Sequence, residues 1–278
     1  MRLAVPHARS NRGSRAMSAE LRFDPAFVEE VVFLELNRLT TAGSRQAVSS
    51  FHREREAVYE LPDAQQRDAA FQQLAGRTFQ ALGLEQLFAL RFEEFPRLFE
   101  RIELVVVKRV WERKDEQVEL YVGGSRSMRP ALEASTTLFI GLQAIRCLDR
   151  ERLMAFLRHD LMHVANMLDP AFAYDPHAAF GGESAPENEL IRERFRVLWD
   201  LWVHVRCRRR GWQTTLDDDA RQRDVMRAFA FLSPAGQEEL VAAVSQQDRW
   251  TQGELLALSR LPVASAAQAG HAHSEAVA

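Results

Sequence analysis

The segment RHDLMHVANMLDP, residues 158–170, decides the fold because it predicts a buried helix with a site on its polar side. His159 and His163 are four positions apart, and residues at that spacing are neighbours on a helix, so both imidazoles can reach one ion. A metal-binding helix is therefore predicted. Its apolar residues recur at helical spacing and form one stripe, on the side away from the histidines, that must pack on a core: Leu153, Leu157, Leu161, Val164 and Leu168.

Around this segment, the spacing of apolar residues divides the chain into two helical parts with a small sheet between them. Residues 21–100 keep apolar residues at intervals of three and four, which predicts a helical N-terminal layer. Capping signals and turn residues set the limits of the later elements. The predicted strands are 102–110, 116–122 and 136–145, and the predicted helices are 149–168, 187–210, 217–232, 234–246 and 251–259.

These elements predict an α+β fold that is mostly helical. The chain has 278 residues, of which 46% are hydrophobic, and this suffices for the core of one domain. We assign that domain to residues 21–262, with the metal-site region at 101–211. Residues 1–20 are predicted to be a flexible tail and residues 263–278 a disordered one.

The overall charge and the cysteine content narrow the class of protein. The net charge of −3 gives no case for binding nucleic acid or a membrane surface. No run approaches the roughly 18 apolar residues that a membrane span needs. The two cysteines, Cys147 and Cys207, form neither a disulfide framework nor a cysteine zinc site. We therefore expect a cytoplasmic protein, and its oligomeric state stays open.

The motif HDLMH, residues 159–163, resembles the HExxH signature of the zincin metallopeptidases. The order of short strands followed by this helix also resembles that family, and the resemblance covers roughly residues 100–210. It implies one zinc ion per chain, bound by His159 and His163, and hydrolysis of a peptide or protein substrate. In that family a glutamate follows the first histidine and acts as the general base. Asp160 stands there in this chain, and its carboxylate is withdrawn by roughly 1.5 Å.

Two acidic residues are candidates for the third metal ligand. Glu189 and Glu193 lie one turn apart on the predicted helix 187–210, and this ExxxE resembles the glutamate helix of the gluzincin branch. The resemblance implies that Glu189 binds zinc and that Glu193 accepts a hydrogen bond from a histidine ring. The alternative ligand is Asp169, ten positions after His159, which resembles the third-ligand position of the metzincins. We prefer Glu189.

Two further polar residues are candidates for the surroundings of the metal. Tyr174 and His204 are hydrogen-bond donors that could stabilise a developing oxyanion. The predicted function is a zinc-dependent, metallopeptidase-like hydrolase with Asp160 as a weakened general base.

Three other interpretations remain. The His159-Asp160 doublet together with Asp200 resembles part of the ligand set of the HD-domain phosphohydrolases. That fold needs a further histidine a helix or so upstream, and none occurs between His52 and His159. A zincin-fold protein that binds a metal or a partner without catalysis is the second alternative, and a purely structural helical domain is the third.

Overall fold

A computed structural model describes residues 19–123 and 136–261, and within them the fold is α+β and mostly helical, as predicted. The strands are β1 (Glu20–Phe23), β2 (Leu104–Arg109), β3 (Gln117–Val122) and β4 (Thr136–Leu142). The helices are α1 (Pro25–Thr41), α2 (Arg45–Tyr59), α3 (Ala64–Ala81), α4 (Gln86–Phe92), α5 (Pro96–Phe99), α6 (Arg150–Leu168), α7 (Ala185–Arg209), α8 (Asp218–Ala228), α9 (Pro234–Gln246) and α10 (Gln252–Ser259). Short 3₁₀ turns cover Arg113–Asp115 and Ala144–Leu148.

The four strands form one mixed sheet in the order β1-β2-β4-β3. The pairs β1-β2 and β2-β4 are parallel, and β3 pairs antiparallel with β4 at one edge. The central strands carry β-branched and leucine side chains that are fully buried, among them Val105, Val107, Leu138 and Ile140. This burial explains why the central strands could be predicted from their apolar runs.

Strand β1 corrects the prediction for the N-terminal part of the chain. Residues 1–20 were expected to be a tail and residues 21–100 to be helical, but Glu20–Phe23 pairs in parallel with Leu104–Val107. Four residues are too few to show a period, and the strand is formed by tertiary pairing with β2. The rest of the predicted tails lies outside the described residues.

Helix α6 packs against both the sheet and other helices. Helix α6 contacts α4, α7 and the edge strand β3.

Both cysteines are free and buried, and burial raises the pKa of Cys147 to about 12. Among the described residues, no helix is both long enough and apolar enough to cross a bilayer.

Asp149 caps the N-terminus of α6, as predicted, and its side chain accepts a hydrogen bond from the backbone N–H of Arg152 at 3.1 Å. We expect Asp149→Ala to lower the free energy of unfolding by about 1 kcal/mol, because the N–H group loses its acceptor. Asp149→Ser is the matched control, since serine also caps helices. Urea unfolding followed by circular dichroism measures the difference. Equal stability of both variants would contradict a capping role for this side chain.

Candidate metal centre

The histidine helix α6 has the two-sided character that its sequence predicts. The apolar stripe is buried: Leu153, Leu157, Leu161 and Val164 are each at most 1% exposed. The histidines lie on another side of the helix, toward α7. His159 is buried, whereas His163 is partly exposed. Packing of the stripe on the core therefore fixes the direction in which both imidazoles point.

Three side chains from α6 and α7 converge on one point. The Nε2 atoms of His159 and His163 are 3.3 Å apart. Oδ1 of Asp200 lies 3.0 Å from Nε2 of His163 and 3.5 Å from Nε2 of His159. Among the described residues, this is the group of histidine, cysteine and acidic side chains whose ligand atoms are close enough to hold a metal ion.

The spacing of these three atoms matches that of ligands around a small tetrahedral ion. Zinc binds histidine nitrogen and carboxylate oxygen at about 2.0–2.1 Å, and tetrahedral angles then place neighbouring ligand atoms about 3.4 Å apart. The three observed separations of 3.0, 3.3 and 3.5 Å lie close to this value. A zinc site with three protein ligands keeps a fourth position for water or substrate.

Neighbouring side chains hold two members of the group in place. The indole of Trp199 packs edge-to-face on the imidazole of His163, with ring centroids 4.6 Å apart. Nη1 of the buried Arg221 lies 3.1 Å from Oδ2 of Asp200, so the other carboxylate oxygen, Oδ1, faces the histidines. Such supporting contacts orient metal ligands and raise metal affinity.

His159 lacks one support that metal-bound histidines commonly have. Its Nδ1 atom is buried and has no hydrogen-bond partner among the described residues. Metal-bound histidines usually donate this second ring N–H to an acceptor, and loss of such a partner costs about 10–100-fold in affinity. The centre is therefore expected to bind metal less tightly than a fully supported site with the same ligands.

The pKa values of the two carboxyl groups near the histidines are shifted in opposite directions. Burial by itself would raise the pKa of Asp200, but hydrogen bonds from His159 and His163 hold that pKa well below its usual range. Burial raises the pKa of Asp160 to about 6, with the charge of Asp200 adding to the increase and that of His159 opposing it. Asp200 is thus the carboxylate that stays charged and available as a ligand. A bound dication would lower both pKa values.

The predicted ligand Glu189 is not part of this group. Its side chain is 68% exposed and forms an ion pair with Arg192. It precedes Asp200 by eleven residues on α7, a rise of about 16 Å along the helix, so both cannot bind one ion. The alternative ligand, Asp169, is also outside the group: it ends α6, is exposed, and accepts a hydrogen bond from the backbone N–H of Ala171 at 2.9 Å.

The predicted supporting residues also lie outside the group. Glu193 is 59% exposed and its carboxylate is 3.6 Å from Arg196. Tyr174 is half-buried and packs against Trp199 at 6.0 Å between ring centroids. The structure thus places neither Glu193 nor Tyr174 in hydrogen-bond contact with the histidines.

His204 lies one turn beyond Asp200 on α7 and is buried. Burial lowers its pKa, so the ring is neutral near pH 7, and its Nε2 lies 2.7 Å from Oδ1 of Asp218. This contact joins α7 to the start of α8. His204 therefore has a structural partner of its own and does not enter the group of ligand atoms.

Asp200 is the member of the group that the preferred ligand assignment did not include. Only the resemblance to the HD-domain phosphohydrolases includes Asp200 as a ligand. One signal for it lies in the sequence LWDLW, residues 198–202, where the acid is surrounded by large apolar side chains that are buried in the structure. A carboxylate that such a setting partly buries needs hydrogen-bonding or charged partners, because an unpaired buried charge is costly.

A cavity of about 430 Å³ lies beside Asp200. Charged side chains dominate its wall, including Glu193, Arg196, Arg221 and Asp224. Asp200 is shared between the cavity and the histidine group, and its side chain is 25% exposed. The described lining of the cavity includes neither histidine, so the cavity meets the histidine group at Asp200.

The geometry defines a class: an α+β protein in which two helices bring two histidines and one aspartate together. Comparison with known proteins found no family model that matches the chain, and no curated protein or solved structure that is significantly similar to it. The assignment to the zincin family stays a prediction.

Proposed function

We propose that His159, His163 and Asp200 bind one zinc ion and that the protein is a zinc-dependent, metallopeptidase-like hydrolase. One observation carries the proposal: three ligand atoms from two helices lie 3.0, 3.3 and 3.5 Å apart, and Asp160 directly follows the first histidine. We propose zinc because zinc sites commonly combine histidine nitrogen with carboxylate oxygen, the ligand atoms present here.

In the proposed reaction, Asp160 is the general base. Zinc, when bound, lowers the pKa of a coordinated water and polarises the scissile carbonyl. Asp160 accepts the proton of the attacking water, directly or through a second water, because its carboxylate is one methylene shorter than that of glutamate. Arg221 keeps Asp200 oriented toward the histidines. A peptide or protein substrate would enter through the cavity beside Asp200.

Metal analysis of the purified chain, prepared without an affinity tag, tests the proposal. We expect about one zinc per chain. Zinc at about a thousand times its dissociation constant should also stabilise the metal-free protein against unfolding by about 4 kcal/mol, because it binds only the folded centre. A chain that contains no metal and has the same melting temperature with and without added zinc would leave the histidines and Asp200 as a hydrogen-bonded structural group.

Metal analysis also distinguishes zinc from iron, which fits the same set of ligands. Two histidines and one carboxylate with open positions are also the ligand set of non-haem iron oxygenases. One iron per chain in place of zinc would therefore contradict a hydrolase and favour oxygen chemistry. Zinc without any hydrolysis would favour the alternative of a metal-binding protein without catalysis.

The HD-type phosphohydrolase is the weaker alternative. Asp200 does lie beside His159, as that interpretation needs, but Asp160 is not among the converging ligand atoms. The group contains no further histidine among the described residues, and His52 packs instead against Phe51 on α2. Hydrolysis of a phosphate ester in preference to a peptide by the zinc-loaded protein would reverse our preference.

A further inference from the structure

A second concave site lies on another side of α6, away from the histidines. It is a groove of about 650 Å³ between the segment 94–101, the last turns of α6 and the end of α7. We call it the arginine groove, because four arginines line it: Arg97, Arg101, Arg206 and Arg210. Its volume falls within the range of about 300–1,000 Å³ that is typical of small-molecule sites.

None of these four arginines forms a salt bridge with another described residue, although most neighbouring arginines do. Arg101 donates to the backbone carbonyl of Leu168, and Arg206 donates to the side-chain oxygen of Asn166. Within the described part of the chain, the side chain of Arg210 has one hydrogen-bond partner, the thioether of Met162 at 4.0 Å. A guanidinium has five N–H donors, so most of the donor capacity in the groove is left for solvent or a ligand.

Two of the arginines pack over aromatic rings. The guanidinium of Arg206 lies over the ring of Trp202 at 4.6 Å, and that of Arg210 lies over Trp212 at 4.9 Å. A cation over an aromatic ring is attracted to the ring face and keeps its N–H donors for acceptors elsewhere. These contacts restrain both guanidinium groups at the wall of the groove.

The acidic residues of the wall compensate this positive charge only in part. Glu94 forms ion pairs with Arg91 and Arg158, which are not in the wall of the groove. The carboxylate of Asp169 accepts from the backbone N–H of Ala171. Glu100 also has interactions of its own. Burial and the charge of the nearby Arg210 lower the pKa of Arg206, and the charge of Asp169 partly opposes this decrease.

We propose that the arginine groove binds a small phosphorylated molecule, with its phosphate on Arg206 and Arg210 and its apolar part on the neighbouring wall. Arginine matches the geometry of phosphate oxygens through paired N–H donors. The wall also contains apolar side chains, among them Phe95, Leu98 and Met162. The proposal does not depend on a metal at the histidines.

Calorimetric titration with phenyl phosphate and with inorganic pyrophosphate tests this site. The protein is first freed of metal, so that phosphate cannot bind through an ion. We expect saturable binding of one molecule per chain below about 10 mM, and Arg206→Gln should weaken it at least about tenfold through loss of charge-assisted hydrogen bonds. Arg208→Gln is the matched control, because Arg208 lies on the same helix end, outside the groove, and pairs with Asp218 at 3.3 Å.

Further variants keep the result decisive. If Arg206→Gln does not fold, Arg210→Gln replaces it, since Arg210 is exposed just beyond the end of α7. His163→Ala should bind phenyl phosphate as the wild type does. The proposal is overturned if Arg206→Gln and Arg208→Gln lose affinity for phenyl phosphate equally, or if His163→Ala alone loses it. It is also overturned if titration of the wild type gives no saturable heat of binding. Tighter binding of a single-stranded oligonucleotide than of either small anion would overturn it in favour of a nucleic-acid surface.

Discussion

Asp200→Asn is expected to weaken zinc binding by at least about a hundredfold, while Glu189→Ala binds zinc as the wild type does. Loss of an outer contact to a metal ligand costs about 10–100-fold in affinity, so loss of a charged ligand should cost more. Glu189, by contrast, is exposed and forms an ion pair with Arg192. It lies about 16 Å from Asp200 along the axis of α7. Titration of metal-free protein with zinc against a chromogenic chelator measures both affinities.

Asparagine is chosen for position 200 because it keeps the shape of the side chain beside the buried Arg221. Alanine would leave that arginine without its nearest carboxylate and could unfold the protein, which would mimic loss of metal. His163→Ala serves as a second ligand variant and should show a comparable loss. If Glu189→Ala loses zinc and Asp200→Asn retains it, the ligand group proposed from the structure is wrong.

The histidine helix and most other elements could be predicted because local signals and tertiary packing agree there. Helix α6 has a capping aspartate, a buried apolar stripe and a proline just beyond its end, and it was predicted to within about one residue. Helix α9 was predicted at its observed limits, Pro234–Gln246. Strand β1 had no such signal, because its four residues gain their conformation from pairing with β2.

The third ligand could not be found by motif spacing because it depends on how two helices cross. Glu189 and Glu193 stood in a familiar ExxxE spacing, but both side chains face solvent and arginine partners. On α7, the energetic cost of burying a charged side chain indicates the third ligand better than motif spacing does. Asp200 lies between Leu198–Trp199 and Leu201–Trp202, all four of them buried, so its carboxylate needs partners that an exposed glutamate does not.

The substitution Asp160→Glu is expected to raise the rate of peptide hydrolysis by about a hundredfold. The added methylene extends the carboxylate by roughly 1.5 Å, and a misplacement of about 1 Å can cost about a hundredfold in rate. The expected gain arises because the longer side chain reaches the attacking water directly. Cleavage of fluorescein-labelled casein by zinc-loaded protein measures the rates.

Asp160→Asn is the matched control, since it keeps the size of the wild-type side chain and removes the base. The wild type should be faster than Asp160→Asn if its carboxylate acts through a second water, and Asp160→Glu should be fastest. Zinc content must be the same in all three proteins, which separates an effect on the base from an effect on the ligands His159 and His163. Equal rates in Asp160→Glu and Asp160→Asn, each with one zinc, would contradict the hydrolase and leave a metal-binding protein, because a correctly placed base then makes no difference to the bound water.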